Sequence, residues 1–377
     1  MLVRSVLIML IFLVFCSGAL AANWPLKALP DDENRNYWLP EQVNKPGDLE
    51  ALRELMAQPA VKYQGKQDKP IQIALIYPSA DTSDFWSRNY LALAKRLDEM
   101  GIRYQTTEFT SRLAEQDLQS VYVDVVIKDA DLYDYVIFGP SELGTQSEYV
   151  QNLAQTEVFS TYIWGSYTPL KKLEKQPAAW FDFSSAYGAN KICDYVLERL
   201  GNKVYYAMIR GIWSVTDSQR SGDFKQCVNS RGDWVTAFEH YGDHERNGGF
   251  EGVNRLQSYK DITMIHSANS AMAMGALEAL ELQGKLDQVF MTGWGGNTQE
   301  LESIRRGRLN ATPMRMSDDV GAATAEAIRA DLEGRQNELP LVFLGRITIA
   351  HDQMSSAELD ALQREAFRFS GREALAR

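Results

Sequence analysis

The sequence predicts an α/β protein of two lobes, each built around a parallel sheet. From Ile71 onward, short apolar runs alternate with segments of helical spacing, the signature of strands joined by crossover helices. The same rhythm starts again near Ala186, so a second unit of the same kind follows the first. Length agrees: about 355 residues remain after an amino-terminal leader, enough for two domains of ~150 residues.

The leader comes first along the chain. Arg4 supplies positive charge, Val6 to Phe15 is uninterrupted apolar sequence, and Ala19-Leu20-Ala21 is a small-residue cleavage pattern. Residues 1–21 are therefore expected to be a signal peptide that exports the chain to the periplasm. The apolar run is about ten residues, half of what a bilayer span needs. Cys16 follows the bulky Phe15 and is read as part of the discarded peptide. Residues 22–68 form a polar, aromatic-spotted extension in which Asp48 to Met56 has the spacing of an amphipathic helix.

In the first unit, Ile71 to Tyr77 is a nearly continuous apolar run stopped by Pro78, as expected of a parallel strand buried on both faces. Phe85 to Met100 reads as a helix ended by Gly101. Tyr133 to Phe138, Val158 to Trp164 and Ala179 to Phe183 are the further extended pieces. In the second unit, a helix from about Ala186 to Leu200 leads to a strand at Lys203 to Ile209 and a helix around Ser218 to Val228. Strand-like runs recur at Trp234 to Phe238, Thr263 to His266 and Val289 to Thr292, with a helix at Ala271 to Leu282 between the last two.

Composition narrows the function. A net charge of -11 argues against a nucleic-acid partner, which needs clustered lysine and arginine. Cys193 and Cys227 remain after cleavage, and an oxidising compartment permits a bridge between them. Two free buried thiols are the other reading. Neither a nucleophile elbow, a phosphate-binding Gly-Lys-Ser/Thr loop nor a Cys-x-x-Cys pair occurs. His240 and His244 are four apart, but the turn-like Tyr-Gly-Asp between them points to a solvated loop rather than a metal pair. The expectation is a binding protein without catalysis and without a cofactor.

Candidate binding residues cluster where strands give way to helices, since ligands of open parallel sheets sit at the carboxyl ends of the strands. Pro78 to Trp86 is the first such loop. Within it, Ser83 and Asp84 are also good helix caps, and Trp86 reads either as a ligand platform or as core. Gly293-Trp294-Gly295-Gly296 is the second: its glycines allow a tight turn that presents an indole, or simply packs it. Arg220 opens the helix after the Lys203 to Ile209 strand. Arg315 lies in the apolar run Thr312 to Met316, where a buried guanidinium needs a partner. That partner is either Asp318 or Asp319 in a salt bridge, or an anionic or hydroxyl-rich ligand.

The order Ser83-Asp84-Phe85-Trp86, Arg220-Ser221-Gly222-Asp223, Gly293-Trp294-Gly295-Gly296 and Met314-Arg315-Met316-Ser317-Asp318-Asp319 resembles the LuxP-like autoinducer-2 receptors, within the type I (sugar-type) periplasmic binding proteins. The likeness runs from about Ile71 to Gly371 and reaches back through Tyr37-Trp38. It implies two Rossmann-like lobes joined by a three-crossover hinge, with the crossovers placed near Asp182, Asn297 and Leu339. Residues 69–182 plus 297–339 would form the amino-terminal lobe, and 183–296 plus 340–377 the other. It also implies a sugar-like ligand sensed on behalf of a membrane-bound LuxQ-like hybrid sensor kinase, with boron present only as part of a borate-diester ligand. Sugar delivery to an ABC permease is the alternative. Ser83, Trp86, Arg220, Trp294 and Arg315 match family ligand contacts, and Ser270 keeps a hydroxyl where the family has threonine. Two departures stand out: Asp81 replaces a glutamine, and the asparagine after the Val158 to Trp164 strand gives way to Gly165 or Trp164. A carboxylate at Asp81 would repel an anionic ligand, unless it pairs with an arginine or accepts from ligand hydroxyls.

Overall fold

The computed structural model describes residues 37–371 apart from 81–82, 113–114, 142, 166–169 and 257–260. The expected signal peptide, residues 1–21, lies outside the described residues. No described helix is long and apolar enough to cross a membrane.

Two six-stranded sheets organise the described residues. The first contains β1 (Ile71–Pro78), β2 (Tyr104–Ser111), β3 (Tyr135–Phe138), β4 (Ser160–Trp164), β5 (Ala179–Asp182) and β11 (Val342–Leu344), in the order β11-β5-β4-β3-β1-β2 and parallel throughout. β1, β3 and β4 are buried almost without interruption, which is why they read as apolar runs. β2 is an edge strand with polar, largely exposed residues, and nothing in its hydropathy marked it out. The second sheet runs β12-β10-β9-β8-β6-β7, from β6 (Lys203–Arg210), β7 (Asp233–Tyr241), β8 (Met264–Ser267), β9 (Phe290–Thr292), β10 (Ala311–Arg315) and β12 (Ile347–His351). Only the pairing of β12 with β10 is antiparallel.

Helices cover the sheets. α1 (Pro40–Val43) and α2 (Asp48–Ala57) belong to the extension, followed by α3 (Phe85–Met100), α4 (Gln116–Lys128) and α5 (Leu143–Gln155). α6 (Ser185–Leu200) opens the second lobe, and α7 (Val215–Asp217) runs through a π-helical stretch at Ser218–Asp223 into α8 (Phe224–Arg231). α9 (Arg246–Arg255), α10 (Ser270–Leu282), α11 (Thr298–Arg305), α12 (Asp318–Leu332) and α13 (Ser356–Ala366) complete the set. α3 ends as its sequence predicts, on Gly101 in the left-handed region at φ 75°. α12 leaves the second sheet and packs along α3; a Cβ on Gly321 would fall 2.0 Å from the Asn89 carbonyl oxygen, so only glycine permits this approach.

Between β5 and β12 the described chain passes between the sheets three times, and two of these passages differ from expectation. The first lies between β5 and α6, at Phe183-Ser184. The second is at Met316-Ser317 rather than near Asn297: α11 and β10 stay in the second lobe, because β10 pairs with β9 and β12. Asn297 is an ordinary helix cap, its side chain accepting from Glu300 N. The third passage is at Gly345-Arg346 rather than near Leu339, because β11 pairs with β5 in the first sheet. Residues 297–315 therefore belong to the second lobe and 342–344 to the first.

The extension is tied down at several points. Arg96, 1% exposed, donates to the carbonyls of Leu55 and Gln58 and pairs with Glu326. The Asn44 side chain both donates to and accepts from the backbone of Val342, closing the free edge of β11. Tyr37 bridges to Leu170 in the first lobe, and its hydroxyl accepts from Gln219 Nε2 of the second at 2.6 Å. Cys193 on α6 and Cys227 on α8 are disulfide-bonded, with Cα atoms 6.2 Å apart.

Candidate functional site

The residues singled out by sequence come from both lobes, and the fold brings together all of them that it describes. Asp81 lies outside the described residues. Ser83 accepts a hydrogen bond from the Phe85 backbone N–H at 3.2 Å, so it serves the start of α3. Asp84, the neighbouring cap candidate, pairs with Arg88 at 2.9 Å and makes no capping bond. Trp86 is 7% exposed, stacked with Tyr77 and edge-on to Phe85. Its ring lies over Gly139 and Gly165, which follow the carboxyl ends of β3 and β4; a Cβ on Gly139 would be 2.4 Å from it. Gly165 adopts φ 61°, so the position where the resemblance expects asparagine is a left-handed glycine beneath two aromatic rings.

Across the cleft, Arg315 leaves the end of β10 and lays its guanidinium 4.2 Å from the centroid of the Phe85 ring and 5.8 Å from that of Phe183. It pairs with neither Asp318 nor Asp319. Asp318 instead accepts from the backbone of Phe369 and Ser370, and Asp319 pairs with Arg346 and Arg368. Among the described residues the Arg315 side chain makes no hydrogen bond, and its Nε is fully enclosed. Burial pulls its pKa down, while the charges of Asp84, Asp182 and Glu300 oppose that.

Arg220 does not open a helix. It sits inside the π-helical stretch, a widened turn of a kind often found at functional positions. Its guanidinium lies 5.3 Å from the Trp294 ring and donates to the Ala268 carbonyl at 3.1 Å and to Ser185 Oγ at 3.3 Å. Trp294 is 2% exposed and packed against Gly188 of α6 and His266. The Ser270 hydroxyl donates to the Trp294 carbonyl at 2.9 Å. A Cβ on Gly295 would lie 3.1 Å from Ser270 Oγ and 3.2 Å from Arg315 Nη2, which closes the chain of neighbours from Trp86 round to Arg220.

Several residues that build the site carried no motif. Glu300, fully buried, accepts from the backbone N–H groups of Trp294 (2.8 Å) and Gly296 (2.6 Å) and from Thr312 Oγ1 (3.2 Å). It thereby holds the glycine-rich loop, although burial raises its pKa against those bonds. His266 is buried with Nε2 at 3.1 Å from the Arg220 carbonyl and Nδ1 at 2.8 Å from Thr292 Oγ1. A carbonyl only accepts, so Nε2 carries the proton and Nδ1 takes the threonine hydroxyl. Burial pushes this imidazole down to about 4, so it is neutral. His244 is not in a solvated loop: it is 7% exposed, adopts φ 63° and packs its ring on Gly211. Burial, with the charge of Arg220 added, takes it down to about 3. His240 instead lines a surface groove with Glu239, Asp243 and Glu251.

Asp182, which the sequence places only near a crossover, is 7% exposed at the end of β5, with no partner for Oδ2. Burial raises it to about 7, against a backbone hydrogen bond from Phe183 and the attraction of Arg220 and Arg315. The arrangement offers aromatic faces, two guanidinium groups and a carboxylate around one cleft, and among the described residues no three potential metal ligands gather. Such a set recognises rings and hydroxyls.

Comparison with known proteins fits this geometry. A family model described as periplasmic binding protein domain matches residues 73–336. The ribose import binding protein RbsB of Salmonella typhimurium is 28% identical over 145 residues, covering 38% of this chain and 48% of that protein. The chain thus spans about half the length of the curated relatives it matches. An ABC transporter solute-binding protein of Bacillus halodurans with bound myo-inositol superposes with a TM-score of 0.66 at 17% identity, over 80% of this chain and 99% of that one. The fructose-binding periplasmic domain of a hybrid two-component system gives 0.66 at 15% identity, over 80% and 99%. At these identities the structural matches establish the two-lobed fold.

Proposed function

Because this chain belongs to the periplasmic binding protein family, we propose that it closes its two lobes in the periplasm on a small sugar or cyclitol and delivers it to an ABC permease. The observation that carries the reading is the pairing of Arg315, from one lobe, with Phe85 and Phe183 across the cleft, beside Arg220 on Trp294. Stacked, partly buried guanidinium groups present donors in fixed directions, which suits ring hydroxyls. Trp86 and Trp294 supply apolar faces, while Ser83 and Ser270 supply hydroxyls. Delivery is favoured by the import role named for the ribose-binding relatives and by the cyclitol in the Bacillus protein. No step here requires a cofactor or a reaction; closure works through tighter binding to the closed state.

A second reading, sensing of autoinducer-2 or a related signal for a LuxQ-like hybrid sensor kinase, rests on the LuxP-like order of residues. The fructose-binding domain of a hybrid two-component system shares the fold, so sensing is compatible with it. Mass spectrometry of the small molecule that co-purifies from periplasm, with uptake of labelled sugar in a deletion strain, separates the two. A plain sugar and lost uptake support delivery; a borate-containing furanose with intact uptake overturns it.

A further inference from the structure

After α13 the chain leaves the second lobe once more. Leu359, Ala366 and Phe367 pack in the second lobe's core, and Arg305 of α11 holds Asp360 and Gln363 of α13 at 2.7 and 2.8 Å. From Arg368 on, the long-range partners belong to the first lobe. Arg368 pairs with Asp319 at 2.7 Å, and the Phe369 side chain packs against the first lobe's core. Asp318, fully buried at the start of α12, accepts on one oxygen from the N–H groups of Phe369 (2.6 Å) and Ser370 (2.7 Å). Its other oxygen takes the Ser370 hydroxyl at 2.7 Å. Arg88 of α3, also fully buried, donates to Ser370 Oγ at 3.0 Å and to the Gly371 carbonyl at 2.9 Å.

This seat lies at the hinge. Asp318 and Asp319 directly follow the passage at Met316-Ser317, and Asp319 also pairs at 3.2 Å with Arg346 of the passage at Gly345-Arg346. Arg88 reaches back to the second lobe, to Thr298 Oγ1 at 3.2 Å and to the Phe367 ring, 3.6 Å from its centroid. Charge-assisted bonds are the strong ones, and a buried carboxylate stripped of its partners is costly. The segment lies outside residues 73–336, the stretch that the family model matches. Its slack is small: Ala366 ends α13 in one lobe, Phe369 is fastened in the other, and three residues reach about 10 Å at full extension.

We propose that Phe367 to Gly371 is a latch, a fourth connection across the hinge that limits how far the two lobes part. Opening carries α13 away with the second lobe while Asp318 and Arg88 stay with the first, so wide separation must break the bonds of the seat. The latch biases the open–closed equilibrium whatever the cleft binds, so the ligand-free protein tests it.

Leu118→Cys, in the first turn of α4, and Trp213→Cys, after the carboxyl end of β6, place spin labels at exposed cleft-side positions of opposite lobes. Double electron–electron resonance then compares the full chain with a chain stopped after Phe367 and with full-length Ser370→Pro, which loses both the N–H and the hydroxyl. Each release variant should keep its far-UV circular dichroism and a single melting transition, yet give a longer and broader distance distribution. An unchanged distribution in a folded variant overturns the latch, even if its melting temperature falls, since the segment would then only pack. Should the shortened chain fail to fold, Ser370→Pro decides by the same reading.

Discussion

Arg315 and Arg220 reach the cleft from the same lobe, one from the end of a strand and one from the π-helical stretch, yet they are held differently, and that difference predicts different behaviour on mutation. Arg220 is braced by the Ala268 carbonyl and Ser185, whereas Arg315 rests on aromatic faces alone. Replacing either with alanine should lower affinity for the co-purifying ligand by roughly 10- to 150-fold, the value of a charged hydrogen bond of about 1.5–3 kcal/mol. Unchanged titration curves would remove that residue from the binding set. Truncating Arg220 should also lower ligand-free stability, and truncating Arg315 should do so less. Asp182 carries a pH signature of its own. Its folded pKa, about 7, exceeds the ordinary 3.8, so its favourable contribution is complete below about 4 and is lost as pH rises through 7. The ligand-free protein should therefore lose stability across that window, by about 4 kcal/mol at most. Asp182→Asn should flatten the change in a melting series from pH 4 to 8.

At the scale of an element, the loop Gly293 to Gly296 shows how one buried side chain can fix a backbone. Gly295 and Gly296 take φ of 124° and 71°, and a Cβ on Gly296 would meet Met314 at 2.3 Å. Glu300, in the first turn of α11, gathers the loop's N–H groups. Glu300→Ala should leave two buried donors unpaired and cost about 2–6 kcal/mol, at about 1–3 for each group. A urea midpoint that falls at unchanged slope would show it; a loss within about 0.5 kcal/mol would mean that water takes over those donors. The π-helical stretch has an analogous anchor. Asp217 accepts from Arg210, the Gly211 backbone and Ser221, while His266 holds the Arg220 carbonyl from below.

For the whole molecule, the contacts that span the lobes decide how it closes. Tyr37 of the extension reaches Gln219, the neighbour of Arg220. Tyr37→Phe removes that hydrogen bond, worth about 1 kcal/mol, and should weaken ligand binding about fivefold by lowering the closed population. Scattering of the ligand-free variant should show a larger radius of gyration; an identical radius and affinity would confine Tyr37 to a local role. Arg88 is a second bridge, from α3 to Thr298 of α11 and to Ser370 and Gly371 near the carboxyl end, with Phe367 3.6 Å beneath it. Within the second lobe, the Cys193–Cys227 bridge closes a loop of 34 residues and should stabilise by about 4 kcal/mol in the chain-entropy account. Unfolded, unreduced mature protein should show no free thiol, and reduction should lower the melting temperature.

Sequence alone determined the α/β class and the two lobes, because buried parallel strands such as Ile71 to Tyr77 and helices such as Phe85 to Met100 carry their environment in their hydropathy. It also reached the cleft residues that lie beside turn glycines or in apolar runs, Trp294 and Arg315 among them. The polar edge strand Tyr104–Ser111 escaped it, since an exposed strand needs no apolar pattern. Only the tertiary structure decided where the chain changes lobes. Asn297 and Leu339 look like boundaries locally, but strand pairing across many residues sends β10 to one sheet and β11 to the other. The same holds for Asp182, His244, His266 and Glu300: a polar side chain becomes a site residue when distant segments bury it, and no local pattern records which partners will be there or missing.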